Sequence, residues 1–262
     1  MKRNIIFMLI LLGSVSCEKV INVNLNESNP QYVIEAILLG GVNDFEVRVT
    51  QTTNYFDTTP PKIIENAVVT LTDENQNAYT LQYEQLGMYR LSQFNGLSNM
   101  VYTLRVDVGG KTFVAQGVIP DQTAIENVTF EVESDPFEGG AEQSVIKVSF
   151  QDPPNIENFY RVNSFSDALT GDNSVYRSDL GFDGQVITET LTNLNESGDT
   201  IVVELRSIHK SYYEYFNTLD NAIGDGGFGG GAAPANPTTN WSNNALGYFG
   251  CGNSSFQLVT VP

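Results

Sequence analysis

Apolar and polar residues alternate in short stretches from about residue 30 to residue 120, and this alternation restricts the possible fold more than any other feature. In residues 44–50, Phe45, Val47 and Val49 alternate with polar side chains. Successive side chains of a strand point to opposite faces of a sheet, so this pattern predicts a strand with one buried face. Six further segments of the region also predict strands: 31–38, 67–72, 78–83, 88–91, 101–108 and 112–116.

Turn signals separate these predicted strands. Residues 73–77 are all polar, and Gly109 with Gly110 forms a two-residue hairpin signal. Seven short strands within roughly one hundred residues are typical of an immunoglobulin-like β-sandwich. The region lacks the Cys…Trp…Cys core of true immunoglobulin domains, so the pattern predicts the architecture and not kinship. We therefore predict an all-β chain whose residues 30–120 form an immunoglobulin-like β-sandwich.

Residues 121–262 predict a second β-rich domain that carries one helix. Strands are expected at 128–133, 144–150, 158–163, 201–206, 245–250 and 256–261. A helix is predicted near 207–223, because Tyr212, Phe216, Leu219 and Ile223 recur at the spacing of one helical face. Residues 224–235, which are rich in glycine, predict a mobile loop after it.

The first residues have the layout of a bacterial lipoprotein signal peptide. Lys2 and Arg3 precede an apolar run at 5–12, and the small residues 13–16 lead to Cys17. The apolar run is too short to span a bilayer. We expect residues 1–16 to be removed, Cys17 to be lipidated and residues 17–29 to tether the chain to the outer membrane. The sequence leaves open which face of that membrane the chain occupies.

The charge of the chain excludes one class of partner. It has 31 acidic and 13 basic residues, for a net charge of −18. Nucleic acids and anionic lipid surfaces bind to basic faces, so this balance argues against nucleic acid as a ligand. An acidic excess often serves solubility alone, so it does not identify a cationic partner.

The sequence offers little for catalysis. With Cys17 lipidated, Cys251 is the only remaining thiol, and His209 is the only histidine. Nucleophile, zinc and phosphate-loop motifs are absent from the sequence. We therefore predict that the chain is not an enzyme and needs no cofactor, and that Cys251 is a small apolar strand residue.

Residues 179–184 form the best candidate for a metal site. Asp179, Asp183 and Gly184 occupy positions one, five and six of a calcium-loop pattern, but Gly181 stands where a third ligand would be expected. The segment therefore has two interpretations, a weak calcium site with Asp179 and Asp183 as ligands, or a polar turn before a strand.

Aromatic residues are concentrated near the end of the chain. Trp241, Tyr248 and Phe249 could form a binding interface, or they could pack in the core with the predicted helix. Trp241 lies between Asn240 and Ser242, so we expect it to be the most exposed of the group. The sequence does not decide between core and interface.

Several segments together resemble a known family. The segments 17–21, 32–36, 50–56 and 67–73 are similar to its N-terminal part, and 211–215, 236–243 and 246–250 are similar to its C-terminal part. The family comprises Bacteroidota outer-membrane lipoproteins with a domain of unknown function (DUF4249), commonly encoded beside TonB-dependent transporters.

The resemblance implies an accessory or binding role at the outer membrane, with a TonB-dependent transporter as partner. It implies no substrate. A cell-surface protein that binds or processes glycans is the first alternative, and a structural component of the envelope is the second.

Overall fold

The computed structural model describes residues 29–53, 59–135, 141–166, 173–193, 195–223 and 236–262. The predicted signal peptide, Cys17, nearly all of the predicted tether and the glycine-rich loop 224–235 lie outside the described residues. Among the described residues, no helix is long and apolar enough to cross a membrane.

Strands make up most of the described chain, and the prediction of an all-β fold with one helix is confirmed. The strands are β1 (Tyr32–Leu39), β2 (Asp44–Gln51), β3 (Lys62–Ile63), β4 (Val68–Asp73), β5 (Ala78–Thr80), β6 (Gln82–Gln85), β7 (Met88–Ser92), β8 (Val101–Val108), β9 (Lys111–Val118), β10 (Asn127–Asp135), β11 (Ala141–Gln151), β12 (Phe159–Phe165), β13 (Val175–Ser178), β14 (Val186–Thr192), β15 (Thr200–Ile208) and β16 (Leu246–Thr260). The helix α1 spans Lys210–Ile223, and a 3-10 turn spans Ser242–Asn244.

One nine-stranded sheet runs through both halves of the fold. Its strand order is β13-β12-β15-β16-β1-β2-β7-β6, with β3 paired to β2. Its neighbouring strands are antiparallel except β1 and β16, which are parallel. A four-stranded sheet, β5-β4-β8-β9, and a three-stranded sheet, β10-β11-β14, complete the fold.

Two hydrophobic cores lie against this long sheet. The first core joins buried residues of β1, β2 and β7 to those of β4, β8 and β9, such as Val47, Tyr89 and Leu104. The second core joins β12 and β15 to β11 and β14, for example through Tyr160 and Phe150. The molecule therefore consists of two β-sandwiches that share one sheet.

The C-terminal strand β16 connects the two sandwiches. The sequence predicted two strands at 245–250 and 256–261, both in the second domain, but the structure has one strand of 15 residues. Its first half pairs with β1, and Phe249 and Cys251 are buried in the first core. Gly250, within this strand, has a packing role, since a Cβ there would lie 3.0 Å from the ring of Tyr212.

Helix α1 packs on the outer face of the long sheet, opposite the two cores. It begins at Lys210, later than the predicted residue 207, because β15 continues to Ile208. Tyr212 stacks on Tyr248 with ring centroids 5.7 Å apart, and Phe216 stacks on Tyr176 at 5.0 Å. Ile223, at the end of the predicted apolar stripe, is 71% exposed, so the sheet covers only the first part of the helix.

Candidate functional site

Three aspartates converge at loops of the second sandwich. Asp152 follows β11, Asp179 follows β13, and Asp183 lies in the turn before β14. One carboxylate oxygen from each residue lies within 4.8 Å of those of the other two. The sequence predicted Asp179 and Asp183 as candidate ligands but missed Asp152, which lies in a different loop, after β11.

Hydrogen bonds hold each carboxylate in place. Asp152 accepts hydrogen bonds from the Tyr160 hydroxyl at 2.6 Å and from the Gly184 amide at 2.9 Å. The backbone amide of Asn158 donates to Asp179 at 2.9 Å, and that of Asn155 donates to Asp183 at 2.7 Å. Gly184 has a φ of +68°, a backbone conformation that residues with a side chain rarely adopt. Glycine at this position therefore lets the backbone amide reach Asp152 without conformational strain.

The cluster concentrates negative charge in a partly buried place. Asp152 and Asp179 are buried, and Asp183 is exposed. Burial raises the pKa of Asp179; the amide of Asn158 opposes this shift, and the nearby carboxylates, including Asp152 and Asp183, add to it. Hard cations such as calcium prefer carboxylate oxygens, so these three residues could hold one.

We expect Asp179→Asn to change how stability depends on pH. The pKa of Asp179 is higher in the folded chain than its ordinary value, so the folded chain holds the proton more tightly. The free energy of unfolding then falls as pH rises through the interval between the unfolded and folded pKa values. The asparagine variant should lose this fall and be more stable than the wild type at pH 7 in the presence of EDTA, as measured by urea unfolding.

The calcium hypothesis adds a second expectation for the same variant. Calcium at about one hundred times its Kd would stabilise the wild type by about 2.7 kcal/mol, and the Asp179→Asn variant by less. Asp220→Asn, on the exposed surface of α1, is the matched control and should respond like the wild type. Equal responses to calcium in all three chains would show that the cluster is a polar turn.

A pocket of about 430 Å³ lies between the two sandwiches, close to this cluster. Its lining includes His209 and Lys210 at the start of α1, and the polar side chains there already have partners. His209 Nδ1 lies 2.9 Å from the Ser211 hydroxyl, and Lys210 forms an exposed ion pair with Glu157 at 3.1 Å. Burial lowers the pKa of His209. These contacts tie both side chains to neighbouring residues of the second sandwich.

Cys251 is fully buried on β16. Burial raises the pKa of its thiol, which keeps the thiol protonated. Its sulfur lies against Gly117, where a Cβ would come within 2.6 Å. The structure therefore places Cys251 as a small packing residue of the first core.

The candidate interface residues Trp241, Tyr248 and Phe249 do not form one surface. Trp241 is 5% exposed, so the expectation that it would be the most exposed is wrong. Its indole Nε1 donates a hydrogen bond to the carbonyl of Ile34 at 3.0 Å, and Phe249 is buried beside it in the first core. Tyr248 lies on the opposite face of the sheet, half-buried under α1. The structure thus assigns these residues to packing.

An exposed apolar patch occurs instead on the outer face of the second sandwich. Phe256 is 63% exposed and Leu258 69% exposed on β16, and Phe165 on β12 is 44% exposed. Val202 on β15 pairs with both Phe165 and Leu258, so the four side chains lie side by side. We call these four residues the outer patch. The sequence predicted the strands but could not indicate that α1 would leave this part of the sheet uncovered.

A buried ion cluster lies on the same sheet face, next to the outer patch. Glu204, which pairs with Phe256, accepts hydrogen bonds from Arg161 at 3.0 Å and from Arg206 at 2.6 Å. The hydroxyl of Ser254 donates a further hydrogen bond to Glu204 at 2.6 Å. The patch is therefore bordered by polar and charged side chains on the side towards α1.

Comparisons with known proteins identify a family and a similar solved structure. The family "Domain of unknown function (DUF4249)" matches residues 18–257. No curated protein matches the chain. A two-domain fibronectin type-III segment of chicken tenascin is similar in structure, with 16% sequence identity and a TM-score of 0.23. That match covers 69% of this chain and 91% of the tenascin segment.

Proposed function

The chain belongs to the family described as a domain of unknown function (DUF4249), and we propose that it is a lipid-anchored, non-catalytic binding protein of the outer membrane. Cys17 carries the lipid, and a TonB-dependent transporter is the partner. The family match begins at residue 18, directly after Cys17. The proposed role is accessory, because the binding protein holds or positions a polypeptide partner and performs no chemistry on it.

The outer patch is the observation that carries this proposal. Soluble proteins rarely expose large apolar side chains side by side, and such patches with a polar border commonly mark protein–protein contacts. Phe256 and Leu258 are each more than half exposed next to the ion cluster of Glu204. A polypeptide partner could bury both side chains without displacing any part of the described fold.

The position of the outer patch suits a tethered protein. The tether would join the fold just before β1, and the start of β1 pairs with the start of β16. The patch lies near the other end of β16, a strand of 15 residues. At about 3.3 Å per residue, the two ends of this strand lie about 45 Å apart. The outer patch therefore lies far from the point where the tether would join the fold.

The aromatic residues favour a polypeptide partner over a glycan. A glycan site would gain from an exposed row of rings, but Tyr212, Phe216 and Tyr248 pack on one another between α1 and the sheet. Trp241 is buried in the first core. Their ring faces therefore serve the fold, and the exposed rings of Phe165 and Phe256 lie beside the aliphatic side chains of Val202 and Leu258 in the outer patch instead of forming a row of rings.

The Cys17→Ala variant tests the anchor and its role together. Removing the thiol removes the acceptor of the lipid, and without acyl chains the chain lacks stable membrane anchoring. We expect the variant to incorporate no labelled palmitate, to leave the outer-membrane fraction and to lose its co-purifying partner. Cys251→Ser is the matched control, since that buried thiol is unavailable for modification. Palmitate labelling of Cys17→Ala, with retention in the outer membrane, would contradict the anchor.

A further inference from the structure

Strand β16 loses one of its two neighbours halfway along its length. It pairs with β1 from Leu246 to Gly252, and with β15 from Gly252 to Thr260. Beyond Gly252, the side of β16 that pairs with β1 in the first half of the strand has no neighbouring strand among the residues that the structure describes. The second half of β16 is therefore an edge of the long sheet.

Hydrogen bonds show which residues of β16 point to this edge. The carbonyl of Cys251 accepts from His209 next to β15, whereas the carbonyl of Gly252 accepts from Gly40 next to β1. Because successive backbone groups of a strand point to opposite sides, the even-numbered residues face the edge. The carbonyl of Ser254 accepts from the side chain of Gln122. Within the described parts of the chain, the backbone groups of Phe256, Leu258 and Thr260 have no partner at this edge.

This edge lacks the features that usually protect an exposed strand. Natural edges carry charged residues, proline or bulges that prevent pairing with other chains. Residues 253–260 contain no charged residue and no proline, and their register with β15 is continuous. The side chains of Phe256 and Leu258 are exposed on the outer face, and Val259 packs against the second core on the inner face.

We propose that the partner binds by adding an extended strand to this edge of β16, beside Phe256, Leu258 and Thr260. The added strand would pair with backbone groups that otherwise bond only to water. The side chains of the added strand would alternate between the two faces of the sheet. Those on one face would cover the outer patch, and those on the other would cover the margin of the second core. The inference rests on the proposed function, because it specifies how the polypeptide partner is held.

The chemistry of the edge also defines the segment that fits it. The segment is extended and apolar at alternate positions, because it must match the outer patch and Val259 in a period of two. It carries no excess of acidic residues, because the whole chain has a net charge of −18. The same charge opposes pairing with a second copy of this chain. The occupant is therefore a strand of a different polypeptide.

Site-specific photocrosslinking in intact outer membranes tests the proposal with the full-length, anchored chain. A photoreactive phenylalanine analogue replaces Phe256 in one variant and Val68 in a control variant. Val68 is 55% exposed on β4, a strand of the first sandwich. We expect position 256 to crosslink to a different polypeptide, within a segment that has alternating apolar residues. We expect the control position to yield no such product.

Two substitutions at Leu258 separate strand pairing from side-chain contact. Leu258→Ala and Leu258→Pro both remove the leucine side chain, but only proline removes the backbone N–H that faces the edge. That N–H does not bond to β15, so the fold should persist, which circular dichroism checks. In the background with the analogue at position 256, we expect Leu258→Pro to lower the crosslink yield about tenfold relative to Leu258→Ala.

Each other outcome overturns the inference. Equal crosslink yields from the two variants would mean that the partner contacts side chains and not the strand edge, and the proposed function would stand. Crosslinks only to a second copy of this chain would show an edge-to-edge dimer. No crosslink at position 256, in membranes where the partner still co-purifies, would place the partner on another surface.

Discussion

Replacing Glu204 by glutamine is expected to destabilise the chain by about 3–5 kcal/mol, the usual cost of removing one member of a buried ion cluster. The carboxylate is 1% exposed and lies between Arg161 and Arg206. The variant leaves two nearly buried guanidinium groups facing a neutral amide. Their desolvation is then no longer offset by the charge of Glu204. Urea unfolding at pH 7, followed by circular dichroism, measures the change.

An exposed ion pair provides the control for this prediction. Glu46 lies 3.6 Å from Arg90 on the same sheet face, and its side chain is 47% exposed. Surface pairs contribute about 0–1 kcal/mol, so Glu46→Gln should change the free energy of unfolding by no more than that. A Glu204→Gln variant as stable as the Glu46→Gln variant would show that water reaches the cluster.

The Trp241→Ala variant is expected to lose about 3–5 kcal/mol, as is usual when a large core aromatic is removed. The indole packs beside Phe249 in the first core, with ring centroids 6.5 Å apart. It also joins the C-terminal segment to β1 through the hydrogen bond to Ile34. Residue 241 is far from β1 in the sequence, but its side chain contacts that strand. Thermal and urea unfolding should therefore show a lower stability of the first sandwich.

Trp241→Phe separates packing from hydrogen bonding. This variant keeps an aromatic ring but removes the indole hydrogen bond to the carbonyl of Ile34, which costs about 0.5–1.5 kcal/mol. Leu86→Ala, at a side chain that is 63% exposed, is the matched control and should cost almost nothing. A Trp241→Ala variant as stable as the control would contradict the placement of this segment in the first core.

The strands of the first sandwich could be predicted because their pattern is local. In β2, the alternation of Phe45, Val47 and Val49 with polar residues determines both the strand and its buried face. Helix α1 could be predicted for the same reason, since Tyr212 and Phe216 recur at helical spacing. Of the two interpretations of the C-terminal aromatic residues, packing with the predicted helix agrees with the structure for Tyr248.

The pairing of distant strands could not be predicted from that pattern. A period of two shows that a strand has two faces, but it does not identify the neighbouring strands. The parallel pairing of β1 with β16 therefore had no sequence signal, and residues 251–255, between the two predicted strands, are part of β16. The same pairing brings Trp241, which precedes β16, into the first core. Its position in the sequence had suggested that it would be exposed.

The sites depended on long-range contacts in the same way. Asp179 and Asp183 belong to one short segment and could be selected together, but Asp152 reaches them from another loop. The outer patch depends on where α1 ends and on which strands are neighbours in the sheet. Neither is determined by the alternation of Phe256, Gln257 and Leu258 alone.

Affinity purification from solubilised outer membranes tests the central claim most directly when the outer patch itself is altered. The double variant Phe256→Ser, Leu258→Ser removes the exposed apolar side chains of β16. Leu86→Ser removes a similarly exposed leucine from the first sandwich and serves as the control. We predict that the wild type and Leu86→Ser recover a TonB-dependent transporter in similar yield, and that the folded, anchored double variant does not. Recovery of the transporter with all three chains, or with none of them, would contradict the account.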